Sequence, residues 1–186
     1  LHPQLAELNR QLDELSDRAG ALVTSMLPDD LRLSIDPDCW SVAECLEHLN
    51  LFSETYLLLI RDANRQARAE QLFGAGTFRL DIMGRVLNWV MQPPARIKVR
   101  TTERFQPVLI GQPEDLLQRF TSLQAQLKTE IAGVEDLDLS RVKVRSPILK
   151  RAKYNLFSCF VLLVTHQQRH LWQAENAKIA IVRDRY

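Results

Sequence analysis

The sequence predicts an all-α fold: a four-helix bundle with an additional short helix and long connecting loops. Three observations predict it. Apolar residues recur every three or four positions through four long stretches. Proline, glycine and capping residues punctuate the ends of those stretches. Outside Val142–Val144 nothing shows the two-residue alternation of a half-buried strand. At 186 residues and 46% hydrophobic content, the chain has the size of one domain spanning 1–186. A chain of that length buries roughly 70% of the surface its unfolded form exposes, so one core suffices.

The first helix runs from Gln4 to Met26, with Leu5, Leu8, Leu12, Leu15, Ala19, Leu22 and Val23 on one stripe and Pro28 as its stop. Residues 28–39, holding Pro28, Pro37 and four aspartates, read as a loop. The second long helix has the clearest start: Ser41 as N-cap, Glu44 as its reciprocal partner, and Trp40 before the cap, placed to pack on Cys45. Its inner face, including Cys45, Leu46, Leu49, Phe52, Tyr56 and Ile60, persists to about Ala67. A shorter helix over 78–92 follows from Ile82, Met83, Val86, Leu87 and Val90, and Pro93-Pro94 stops it.

Residues 93–111 carry three prolines and the cations Arg96, Lys98, Arg100 and Arg104 without periodicity, which predicts an irregular crossing loop with a solvated basic cluster. Pro113, Glu114 and Asp115 open the next helix, which carries Leu116, Phe120, Leu123, Leu127 and Ile131 inward and ends at Gly133. After a second loop containing Ser146-Pro147, the last long helix covers about 154–178 through Leu156, Cys159, Phe160, Leu163, His170, Leu171 and Ala174.

Composition excludes several function classes. Twenty-four lysines and arginines against 23 acids leave a net charge of +1, which offers no overall footprint for a phosphate backbone, so no nucleic-acid partner is expected. The most apolar run, Phe157–Val164, is far shorter than the roughly 20 residues a membrane span needs, and no membrane partner is expected either. The charged residues among 1–27 exclude a secretory apolar region there, making a cytoplasmic setting the default. Cys39, Cys45 and Cys159 form neither an even framework nor a C-x-x-C pair, so reduced thiols are expected, with Cys45 and Cys159 acting as small apolar residues. The chain has no G-x-S-x-G, phosphate loop or E-x-x-H pair, which argues against a serine hydrolase, an NTPase and a di-iron bundle.

The chemistry-bearing residues are histidines. Three of the four, His48, His166 and His170, fall within strongly periodic apolar segments. His166 and His170 share one helix face a single turn apart, and His48 lies beside Cys45 and Phe52 on the second long helix. Any one of them alone reads as an ordinary hydrogen-bonded histidine at the edge of a core. Together they point to a divalent metal site, because three neutral imidazoles hold a cation and leave a position open. Convergence requires the second and last long helices to be neighbours. Gln173, one turn beyond His170, is a further candidate for orienting a ring or a bound water, and Glu44, one turn before His48, for receiving its second ring N–H. The capping role of Glu44 already accounts for it. Arg169 reads as exposed, and Trp89 and Trp172 as core or bundle-edge residues.

The segment Trp40-Ser41-Val42-Ala43-Glu44-Cys45-Leu46-Glu47-His48-Leu49 resembles the W-S-x-x-E-x-x-x-H-L start of the DinB-like (DinB/YfiT) superfamily, and His166-Gln167-Gln168-Arg169-His170-Leu171-Trp172-Gln173 resembles its closing H-x-x-R-H-x-x-Q segment. The resemblance implies a four-helix bundle of the DinB/YfiT type with a three-histidine metal site at His48, His166 and His170. It also implies kinship with metal-dependent thiol transferases and a mycothiol-dependent isomerase. The expected cofactor is a divalent cation, zinc or nickel first, with iron and manganese also suited to imidazole. An open position can acidify water for hydrolysis or hold a thiol as thiolate for transfer. The expected partner is a small-molecule substrate, a low-molecular-weight thiol among the options, and a homodimer is compatible with a bundle. The alternative is a non-catalytic metal-binding or ligand-binding bundle.

Overall fold

The computed structural model describes residues 1–36, 39–94, 101–109, 111–149 and 152–184. Four long helices form the body: α1 (Pro3–Thr24), α3 (Val42–Ala69), α5 (Pro113–Ala132) and α6 (Leu156–Asp184). α1 and α3 each pack against both α5 and α6, which closes a four-membered ring around the core. Two shorter helices, α2 (Pro28–Arg32) and α4 (Ile82–Met91), and a two-stranded hairpin, β1 (Lys143–Arg145) with β2 (Lys153–Asn155), complete it. The fold is therefore all-α, as the periodicity predicts.

The apolar stripes become the core. Leu5, Leu8, Leu12 and Leu15 of α1 are buried with Leu46, Leu49, Phe52 and Ile60 of α3. Leu116, Phe120, Leu123 and Leu127 of α5 and Cys159, Phe160 and Leu163 of α6 close the same cluster. At α3 the capping box is complete, with the Ser41 N–H donating to Glu44 at 2.7 Å and the Glu44 N–H donating to Ser41 Oγ at 3.2 Å. α6 is capped by Asn155, whose side-chain oxygen accepts from the Ser158 N–H at 2.8 Å.

Several boundaries depart from the sequence reading. The expected loop over 28–39 begins instead with α2, because Pro28 sits in the first turn where its missing N–H is harmless and Asp29 and Asp30 face the positive end of the helix dipole. Asp81 Oδ1 accepts from the Gly84 N–H at 2.8 Å, so α4 starts after Asp81 rather than at 78. α6 runs to Asp184, six residues beyond the expected end. The second loop folds back as a hairpin with Val144 opposite Tyr154, and the alternation at Val142–Val144 was its only local sign. Within the expected crossing loop, Glu103–Phe105 forms a 3-10 turn that buries Phe105, while Arg104 is exposed. Arg96, Lys98 and Arg100 lie outside the described residues.

α4 lies along α6. Gly84 is its buried residue, set against Ser158, Asn88 accepts from the Thr165 hydroxyl at 2.6 Å, and the Val90 carbonyl accepts from Arg169 at 3.0 Å. That last contact corrects the exposed reading of Arg169, which is buried because α4 covers it. Trp89 is exposed on the outer side of α4 and Trp172 is half-buried.

Candidate metal centre

α3 and α6 are direct neighbours, which is the condition the three histidines need. His48 lies in the second turn of α3, and His166 and His170 lie one turn apart near the middle of α6. One nitrogen from each ring falls within 4.8 Å of those of the other two. Ring centroids are 4.4 Å apart for His48 and His170, 4.5 Å for His166 and His170, and 5.1 Å for His48 and His166. All three are buried, at 3%, 4% and 9% exposure for His48, His166 and His170.

Each ring has its own support. His48 Nδ1 is 2.7 Å from the Phe105 carbonyl, which can only accept, so Nδ1 carries the proton and Nε2 presents its lone pair. His170 Nδ1 is 3.1 Å from Gln173 Oε1, which sets the same tautomer and frees His170 Nε2. His166 is held by stacking, its ring 3.7 Å from that of Phe52 at an interplanar angle of 16°. Trp40 covers the cluster, 4.7 Å from His48 and 5.6 Å from His170. Glu44 is engaged with Ser41, and the Phe105 carbonyl takes the place beside His48 that Glu44 was a candidate to fill.

Burial favours the neutral rings. It pushes the His48 imidazolium down to about 4 and holds those of His166 and His170 well below the ordinary histidine value, with the neighbouring rings and Arg169 adding repulsion. At neutral pH all three therefore keep a lone pair for a Lewis acid.

The spacing of the ring nitrogens tests whether a cation fits these residues. His48 Nε2 and His166 Nε2 face each other at 3.2 Å. Two nitrogens each about 2.0–2.1 Å from one ion stand about 2.8–3.4 Å apart for angles from octahedral to tetrahedral, so the spacing suits shared coordination. Without an ion, the same approach requires His166 Nε2–H to donate to His48. His166 Nδ1 is buried and meets no hydrogen-bond partner among the described residues, as an acceptor in that arrangement or as the N–H of a ring that ligates through Nε2. The donor set fits a divalent cation.

The family model of the DinB superfamily matches residues 5–174. The chain belongs to the DinB superfamily. No curated protein matches, and no solved structure matches. In this DinB bundle the opening motif supplies Trp40 and His48, and the closing motif supplies His166, His170 and Gln173. The sequence reading missed Phe105, whose carbonyl orients His48 from a segment without periodicity, and the stacking role of Phe52. The latter was detectable as an aromatic residue one turn beyond His48 on the same face.

Proposed function

We propose that this protein is a metal-dependent enzyme acting on a small molecule, either transferring a low-molecular-weight thiol to an electrophile or hydrolysing its substrate. His48, His166 and His170 hold a divalent cation, zinc or nickel foremost. The observation that carries the reading is the set of three neutral, buried imidazoles, two with Nδ1 tied to an acceptor so that Nε2 faces the shared point. When bound, such a cation acts as a Lewis acid that acidifies a water or thiol in an open position.

The protein's own groups do the rest. The Phe105 carbonyl and Gln173 fix ring orientation and tautomer, the kind of support whose loss weakens metal sites. Trp40 and Phe52 line the cluster with apolar surface that excludes bulk water. Burial raises the thiols of Cys45 and Cys159 far above neutral, so neither is a thiolate at physiological pH. Neither of these two cysteines therefore supplies a thiol for the reaction.

One observation favours a second reading. The low exposure of the three rings is also what a sealed site in a non-catalytic bundle shows. Cobalt-loaded protein separates the two. In an enzyme, adding a small thiol produces a sulfur-to-cobalt charge-transfer band and shifts the visible spectrum, and His170→Ala abolishes both. A spectrum indifferent to thiols, azide and substrate-like electrophiles would leave only the sealed site.

A further inference from the structure

A cleft of about 310 Å³ opens between the C-terminal half of α3 and the hairpin, starting about three turns beyond His48. One face of α3 between residues 59 and 70 gives one wall, and residues 141–145 with Lys153 give the other. Ala63, Ala67, Val142 and Val144, all buried, make an apolar floor. The metal centre uses none of these residues.

β1 turns an open strand edge into this cleft. The Leu156 N–H donates to the Val142 carbonyl and the Ser146 N–H to the Ala152 carbonyl. With Val144 opposite Tyr154, the bonds between the two strands therefore fall at 142, 144 and 146. The backbone N–H and C=O groups of Lys143 and Arg145 point away from β2, and they meet no hydrogen-bond partner among the described residues. α3 packs beside β1, so the direction away from β2 is the cleft.

The charges of the two walls are unequal. Val144 points inward, while Lys143 and Arg145 stand on the outer face of β1 with Lys153 directly across from Arg145. Arg141, Arg145 and Lys153 form no ion pair among the described residues, and Lys143 approaches a carboxylate only at 3.6 Å, that of Asp81. On the α3 wall, Asp62 is already engaged by Arg65 and Gln66. Glu70 lies at the Arg141 end, where the Leu72 carbonyl accepts from the Asp138 N–H at 2.9 Å. Four cations thus line a cleft with two acids, one of them occupied, and the occupant they suit is an anion.

We infer that the cleft binds a short acidic peptide in extended conformation, which adds a third strand to the free edge of β1. Its main chain bonds to the N–H and C=O groups of Lys143 and Arg145. Its side chains alternate in step with those of β1. The residues opposite Lys143 and Arg145 are therefore acidic, and the one between them, opposite Val144, is apolar and faces Ala63 and Ala67. A second copy of β1 is a poor occupant, because two such edges set Lys143 and Arg145 against like charges. A nucleic acid would use the cations and leave the open amides and the apolar floor idle. The cleft stands apart from the histidines, so binding is expected with and without metal.

Titration of the full chain with the capped tripeptide acetyl-Glu-Val-Glu-amide, followed by calorimetry and amide NMR, tests the inference. Saturable binding at millimolar peptide is expected, with the Lys143 and Arg145 amide protons exchanging more slowly in the complex. Acetyl-Glu-Glu-Val-amide has the same charge but cannot place both acids on the outer face, and it is expected to bind about threefold or more weakly. Arg145→Gln with Lys153→Gln changes two exposed positions and is expected to weaken acetyl-Glu-Val-Glu-amide to a similar degree, with the helical circular-dichroism signal unchanged. Absence of saturable binding overturns the inference. So does binding that the Glu-Glu-Val peptide or an oligonucleotide matches, or binding that leaves the Lys143 and Arg145 amides exchanging as before.

Discussion

Gly84→Ala is expected to destabilise the protein although alanine is the better helix former. A Cβ at this position would lie 2.2 Å from Ser158 Oγ and 2.4 Å from Ser158 Cβ. The hydroxyl can rotate away, but Ser158 Cβ is fixed to the α6 backbone, so α4 must move outward by about 1 Å or more to reach ordinary contact. Overpacking of this kind costs about 1–3 kcal/mol, and losing the Asp81 N–H to Ser158 Oγ bond, 3.1 Å long, adds about 1 kcal/mol. The intrinsic gain from replacing a helical glycine is about 1 kcal/mol, so the clash wins by about 1–3 kcal/mol. For a chain of this size that lowers the Tm by about 2–12 °C in thermal unfolding followed by circular dichroism. The displacement also pulls Asn88 from Thr165 and the Val90 carbonyl from Arg169, so metal retention is expected to fall with stability. Gly84→Ala with Ser158→Gly removes the clash and should recover metal retention but only part of the stability, because the Asp81 bond stays lost and α6 gains a glycine. A single variant with an unchanged or raised Tm would refute the close approach of α4 to α6.

Gln173→Leu removes the acceptor that holds His170 Nδ1–H and is expected to weaken metal affinity about 10–100-fold in chelator competition, with Gln173→Glu restoring it. In metal-free protein, the depressed imidazole values mean that the unfolded chain binds more protons than the folded one as pH falls below about 6.5. Stability from these rings is therefore complete above that pH and drains away towards about 4, where His48 titrates, and denaturant midpoints across this range should show the loss in the parent and not in a His48→Phe, His166→Leu, His170→Leu variant. A thiol reagent should modify Cys39 quickly in the native protein and reach the buried Cys45 and Cys159 only after denaturation.

Much of this architecture is legible in the sequence because helices are encoded locally. The stripe from Leu5 to Val23 and the Ser41–Glu44 capping box each need only a few neighbouring residues to declare themselves. The histidines are legible for the same reason, since each sits on a face whose direction is already set. What escapes is whatever depends on contacts distant in the chain. Phe105 is buried, and its carbonyl meets His48, through packing that no local period announces. Arg169 has the look of a solvated helix residue until α4 is laid over it. The β1–β2 hairpin is so short that only the alternation at Val142–Val144 hints at it, and Tyr154 of β2 meets Tyr56 of α3 with the hydroxyls 2.6 Å apart, a contact no local pattern shows.

The most direct measurement is the metal content of untagged protein from cells grown with zinc and nickel supplied, set against His48→Ala and His170→Ala made the same way. The account predicts about one divalent ion per chain in the parent and near none in either variant, with helical content retained. A parent that carries no metal and gains no stability when zinc or nickel is added would contradict it.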